Sequence, residues 1–150
     1  MTDMTALDAL FATMPPVVAM QIRASHFDGA RLLLEAPLAA NLNDKGCAFG
    51  GSLVSVMTLA GWGRVVLGLQ AVGIKAEVYV ADSQVRYLAP LFEDLRASAS
   101  LAPEEDWGVV LNRFRERGRS RVMVDVAMAD ASGRIVATMS ARYAILNGHE

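Results

Sequence analysis

The segment NLNDKGCAFGGS, residues 41–52, sets amide and carboxylate side chains directly ahead of a glycine pair. Gly50 and Gly51 open a long apolar run, and a helix starting there presents N–H groups with no intrahelical partner at the positive end of its dipole. Such an end favours a carbonyl oxygen on which negative charge develops, and one donor of this kind is worth about 10²–10³ in rate. Glycine lets a ligand approach the backbone closely; the same pair also suits close packing of a helix on a sheet. Phe49 and Ser52 flank the pair. Asn43 lies a few residues upstream, where its amide can donate to a carbonyl oxygen while its own oxygen takes a backbone N–H. The competing reading is a loop-stabilising asparagine, and Asn41 is read that way. Asp44 is the obvious general base, although beside Lys45 it also suits a solvated loop.

The usual hydrolytic apparatus is harder to find. No Asp or Glu occurs between Gly46 and Ala76, and the two histidines, His26 and His149, lie near a hairpin turn and the C-terminus. Ser52 and Ser55 lack an evident base, no nucleophile-elbow motif occurs, and Cys47 without a neighbouring histidine reads as a packing residue. Further along, Asp82 breaks an apolar alternation, with Ser83 and Arg86 close by. A break of that kind marks a bulge or a functional position. Arg86 either holds a phosphate or pairs with Asp82. Arg113, Arg115, Arg117, Arg119 and Arg121 recur at every second position, either as a solvated helix end or as a surface for phosphates and acidic partners.

These residues need a framework. The 150-residue chain suits one domain, 1–150, and its 53% hydrophobic content points to a generous core or a dimer interface. A net charge of −2 argues against a nucleic-acid partner. One cysteine and no zinc pattern suggest a reducing cytoplasm, and the acidic N-terminus does not resemble a signal peptide. Thr5–Met14 reads as a short helix capped by Thr5 or Asp3 and stopped by Pro15-Pro16. VVAMQIRASHF and ARLLLEAPL read as strands joined at Asp28-Gly29, a hairpin signal. A helix is expected from Phe49 or Gly50 to Leu69. Its glycines, small polar residues and Arg64 favour burial in the protein over a membrane span. Strands then follow near Ala76–Pro90 and Asp94–Ala102, a helix over Pro103–Glu116 with its acids in the first turn, and a final hairpin around Ala131-Ser132-Gly133. An α+β fold with an antiparallel sheet wrapped around one long central helix, the hotdog arrangement, satisfies this order.

Asn43 with Ala48-Phe49-Gly50-Gly51-Ser52, then Ala60-Gly61-Trp62-Gly63, then Asp82-Ser83 followed by Arg86-Tyr87-Leu88-Ala89-Pro90 resembles the thioesterase family found as the C-terminal domain of YiiD-type proteins. The resemblance spans roughly residues 16–146. It implies a hotdog homodimer with acyl-thioester sites at the subunit interface and substrates carried on coenzyme A or acyl carrier protein. It also implies roles for Asn43 and Gly51 in catalysis, and links to malonyl-acyl carrier protein decarboxylation as well as thioester hydrolysis. Decarboxylation needs donors to the thioester oxygen and no base to begin, so the missing acid weighs against hydrolysis only. Phe49, Val54 and Met57 would supply an apolar wall, though ordinary core packing explains them equally. The expected activity is malonyl-acyl carrier protein decarboxylation without metal or redox cofactor. Hydrolysis with Asp44 or Asp82 as base, and a non-catalytic acyl-binding role, stand as alternatives.

Overall fold

Two prolines decide how the chain begins. The computed structural model describes residues 4–148. Helix α1 (Met4–Phe11) ends before Pro15, and Pro15 and Pro16 then start a second helix, α2 (Pro15–Met20). Proline is at ease there because the first N–H groups of a helix have no partner to lose. The strand expected over residues 17–27 is therefore only its second half. The β preference of Val17-Val18 yields to a helix start, which Gln21 ends in the left-handed conformation with φ 55°. Strand β1 (Arg23–Phe27) follows. Thr5 lies inside α1 instead of capping it, and Asp3, the other expected cap, falls outside the described residues.

β1 pairs antiparallel with β2 (Leu32–Ala36) across the Asp28-Gly29 turn. The Asp28 carboxylate accepts the N–H groups of Ala30 and Arg31 at 2.9 and 2.7 Å. These two donors hold its pKa below the usual carboxylate range. Beyond the central helix α3 (Gly50–Ala71) come β3 (Glu77–Tyr87), β4 (Leu95–Leu101), β5 (Arg119–Ala129) and β6 (Ile135–Leu146). The six strands form one antiparallel sheet in the order β1-β2-β4-β5-β6-β3. β3 carries an irregularity between Val80 and Asp82, where the alternation breaks. Helix α4 (Trp107–Arg117) sits between β4 and β5. Its acids do not occupy the first turn as expected. Asp106 is the cap, accepting from Val109 N at 3.2 Å, and Glu105 accepts from Met123 N at 2.9 Å.

Alternation along the strands sends Leu32, Leu34, Ala97, Val124, Met139 and Ile145 inward, where they are buried against α3. The sheet thus wraps the helix in the hotdog arrangement. By length and composition α3 could cross a bilayer, yet 67% of its most apolar window is buried by the rest of the chain. Its one charge, Arg64, is buried too, and burial lowers its pKa. The guanidinium donates through Nε to Ala30 O at 2.7 Å and lies 5.8 and 5.9 Å from the Phe27 and Trp107 ring centres. Arg64 thereby ties the hairpin and α4 to the central helix, with Nη1 left unpartnered.

Close approach is greatest at Gly61, where an added Cβ would collide with the Tyr143 ring and hydroxyl. That hydroxyl donates to Thr58 O at 2.7 Å, and burial raises its pKa. Gly61→Ala is expected to cost about 1–3 kcal/mol through overpacking. In a double-mutant cycle followed by chemical denaturation, adding Tyr143→Phe should recover part of that loss; strict additivity would show that the two groups do not meet.

Candidate functional site

α3 starts without a side-chain cap. Phe49 occupies the cap position in extended conformation, and its ring has no oxygen to offer the free N–H groups. The first intrahelical bond runs from Leu53 N to Phe49 O at 3.0 Å, so the N–H groups of Gly50, Gly51 and Ser52 precede it. The Phe49 ring lies across Gly51 so closely that a Cβ there would strike it, while Ser52 is buried. Tyr87, at the end of β3, reaches over Gly50 with its hydroxyl 3.5 Å from Gly50 O.

The loop before the helix is a small hairpin stapled by Asn43. Its Oδ1 accepts Lys45 N at 2.8 Å and Cys47 N at 3.1 Å, and its Nδ2 donates to the buried Cys47 Sγ at 3.2 Å. Asn43 N also donates to Cys47 O at 2.8 Å, and Gly46 turns the chain at φ 81°. Phe49 N to Asn41 O, 2.7 Å, closes this hairpin onto the helix start, and Ala48 N to Leu91 O, 2.8 Å, docks it on the neighbouring loop. Asn41 is buried, and its Nδ2 donates to Met20 O and Pro37 O at 3.0 and 2.8 Å. The Asn43 oxygen thus takes backbone N–H groups as expected, within the hairpin that precedes the helix, and an amide carries two hydrogens, of which the sulfur contact uses one.

The other candidates are spread more widely. Asp44 is 81% exposed and pairs with Lys45 at 3.0 Å. On β3, Tyr87 sits opposite buried Ala137 and Ser83 opposite buried Ala141, so both lie on the helix side of the sheet. Asp82 and Arg86 take the opposite face. Asp82 pairs with Arg142 at 3.3 Å instead of Arg86, and Arg86 lines an outer trough of about 730 Å³ with Arg31, Arg96, Ser98 and Asp125. Phe49, Gly50, Gly51 and Ser52 thus stand at the helix start, Asn43 lies in the hairpin joined to that start through Phe49 N and Asn41 O, and Asp82 and Arg86 take the other face of the sheet. The arginines at 113–121 run from the end of α4 into β5. Arg119 shares a row with Leu146 and Glu77, ten residues along β3 from Tyr87, roughly 33 Å at strand rise. Met57 is fully buried in the hydrophobic core. His26 lies on β1, and His149 falls outside the described residues. Among the described residues, no group of three or more His, Cys, Asp or Glu side chains could hold a metal ion.

An apolar space flanks the same helix. An apolar chamber of about 420 Å³ runs beside α3 between α2, β3 and Tyr143, lined by Met14, Val17, Met20, Val54, Thr58 and Trp62 among others. Its α2 wall replaces part of the strand expected over residues 17–27; the Pro15-Pro16 pair, suited to the first turn of a helix, is the sequence signal for it.

Solved structures share this architecture. A protein of unknown function from Chlorobaculum tepidum is 29% identical, with a TM-score of 0.89, covering 96% of this chain and 94% of its own. A Shewanella oneidensis protein described as a "putative thioesterase" is 28% identical, with a TM-score of 0.84 and coverage of 95% and 96%. A Pseudomonas aeruginosa protein, 24% identical with a TM-score of 0.79 over 99% of both chains, shares the fold. Residues 5–147 match the family described as "Putative thioesterase (yiiD_Cterm)", and the chain belongs to that acyl-thioesterase family of hotdog proteins.

Proposed function

We propose that this protein decarboxylates a malonyl thioester, carried on acyl carrier protein or coenzyme A, to an acetyl thioester that can prime fatty acid synthesis. The observation that carries this reading is the uncapped start of α3 at Gly50-Gly51, set beside the loop that fixes Asn43. The thioester oxygen sits against the Gly51 N–H and the second Asn43 amide hydrogen. The C–C bond to the carboxylate breaks, CO₂ leaves, and the electron pair moves through the α-carbon onto that oxygen as an enolate, which a proton from water then quenches at carbon. Donors aimed at the developing oxyanion lower this barrier directly. Phe49 and Val54 keep the departing carboxylate in poor contact with water.

Hydrolysis is the second reading, favoured by the family description. It needs a group to activate water, and Asp44, the carboxylate in the loop, must first give up Lys45 and leave solvent.

Both readings place the site in a homodimer. The β1 edge of the sheet is closed by Asp8, whose carboxylate takes Ala24 N at 3.1 Å. β3 offers an 11-residue edge with Tyr79, Val80 and Tyr87 exposed. An open, partly apolar edge is a pairing surface, and a second copy added there brings the two α3 starts to a shared interface. Glu77, Asp82 and Arg86 stand on the solvent face of that edge.

Incubating the protein with malonyl-carrier protein should yield acetyl-carrier protein with the thioester intact; release of free carrier thiol would instead establish hydrolysis. Asn43→Asp keeps the oxygen that accepts Lys45 N and Cys47 N and removes the amide donor. It is expected to lower turnover at least tenfold with a smaller fall in melting temperature than Asn43→Ala, because only the bond to Cys47 Sγ is lost from the loop. Asn43→Ala should lower both. Full activity in Asn43→Asp would remove this side chain from the chemistry.

A further inference from the structure

We infer that Tyr87 is the acid that delivers a proton to the α-carbon of the enolate left by loss of CO₂, and that it does so on one face of that enolate. This rests on the reading of the α3 start as a site of malonyl decarboxylation.

The three tyrosines of the chain differ in what their hydroxyls hold. Tyr143 is fully buried and donates to Thr58 O at 2.7 Å, and Tyr79 donates to Glu77 Oε2 at 2.8 Å. Both protons are committed to strong acceptors. Tyr87 is different: among the described residues its hydroxyl has one contact, 3.5 Å from Gly50 O. A hydrogen bond that long gives up little when the phenol turns to a better acceptor. The side chain is on the helix face of the sheet and exposed, so a ligand at the α3 start can reach it.

The oxygen that Tyr87 touches and the nitrogen that holds the thioester belong to one peptide unit. Gly50 O and Gly51 N are about 2.2 Å apart across that amide, so the Tyr87 hydroxyl lies within about 6 Å of Gly51 N. The α-carbon of a bound thioester is about 2.4 Å from its carbonyl oxygen. The C=O and N–H of a trans peptide point opposite ways. The acyl group therefore meets the phenol by lying along the flank of the first turn, over Gly50. That flank is open, because a Cβ on Gly50 would meet nothing nearer than Tyr87 Cε1 at 3.8 Å.

Decarboxylation leaves a carbon that must gain a proton, and the donors to the oxygen cannot supply it. The Asn43 amide and the Gly51 N–H stabilise the enolate without ionising. Asp44 is an exposed carboxylate paired with Lys45, and Ser52 is buried. A phenol is a far stronger acid than a carbon beside a thioester carbonyl, so transfer from Tyr87 runs downhill. The oxyanion pair re-forms the carbonyl, the C=C pair makes the new C–H bond, and the O–H pair stays on the phenol oxygen. The phenolate then takes a proton from water, which leaves as hydroxide. Tyr87 is anchored at the end of β3 and approaches from a single side, so the new hydrogen enters on one face.

The test decarboxylates malonyl-carrier protein, tritiated stereospecifically at its α-carbon, in D₂O, and reads the configuration of the resulting H, D, T methyl group. The wild-type protein is expected to give a single configuration. Tyr87→Phe keeps the ring beside Gly50 and removes the acid. With the Asn43 and Gly51 donors in place it should still release CO₂, and its acetyl product should be racemic at the methyl group. A single configuration from Tyr87→Phe would overturn the assignment, as would racemic product from the wild type; each leaves the decarboxylase reading standing. A Tyr87→Phe protein that no longer releases CO₂ would put Tyr87 in the cleavage step instead and overturn it too. Wild-type protein that forms no acetyl thioester would overturn the decarboxylase reading itself.

Discussion

Burial of a 22-residue apolar helix by a single antiparallel sheet is the constraint on which the structure depends. α3 has almost no polar face, so every strand must turn hydrophobic or small residues toward it. The sheet curls to do so, and close contact demands glycine where the helix meets large groups. Gly61 faces Tyr143, Gly63 faces Leu32 and Leu7, and Gly68 faces Trp107. Arg64 is tolerated in this setting because Ala30 O and two aromatic faces surround its guanidinium. The price is one unpartnered buried nitrogen.

The same constraint shapes the candidate site. A helix sheathed in this way is left with unpartnered backbone donors at its N-terminal end. Phe49 cannot satisfy them, and the stapled 43–47 hairpin is joined to that end by the bond from Phe49 N to Asn41 O. The side of α3 that the sheet leaves half-covered, along Val54, Thr58 and Trp62, lines the apolar chamber against α2 and β3. Donor end and apolar chamber are two consequences of one packing arrangement.

Much of this was legible in the residues. Periodicity and turn chemistry indicated both hairpins, the central helix to within two residues at its far end, and the irregularity at Asp82. Other features yielded to tertiary context. Val17-Val18 has strand propensity, but Pro15-Pro16 starts a helix that packs over α3. Glu104-Glu105-Asp106 suits a first turn, but Glu105 is drawn to Met123 N and leaves Asp106 to cap. Asp82 and Arg86 look like partners four residues apart, yet β6 presents Arg142 opposite Asp82 and takes that role.

By itself the sequence determined the fold class and the donor-rich helix start, because both follow from local rules: the 3.6-residue and two-residue periods, and glycines after an amide-bearing loop. Only the tertiary structure decided which candidates share a site. Side chains alternate across a strand, so whether Asp82, Ser83 and Arg86 face the helix depends on register and on the bulge between Val80 and Asp82. The chamber likewise belongs to four elements distant in sequence, α2, α3, β3 and β6, and a cavity between them has no signature in any one of them.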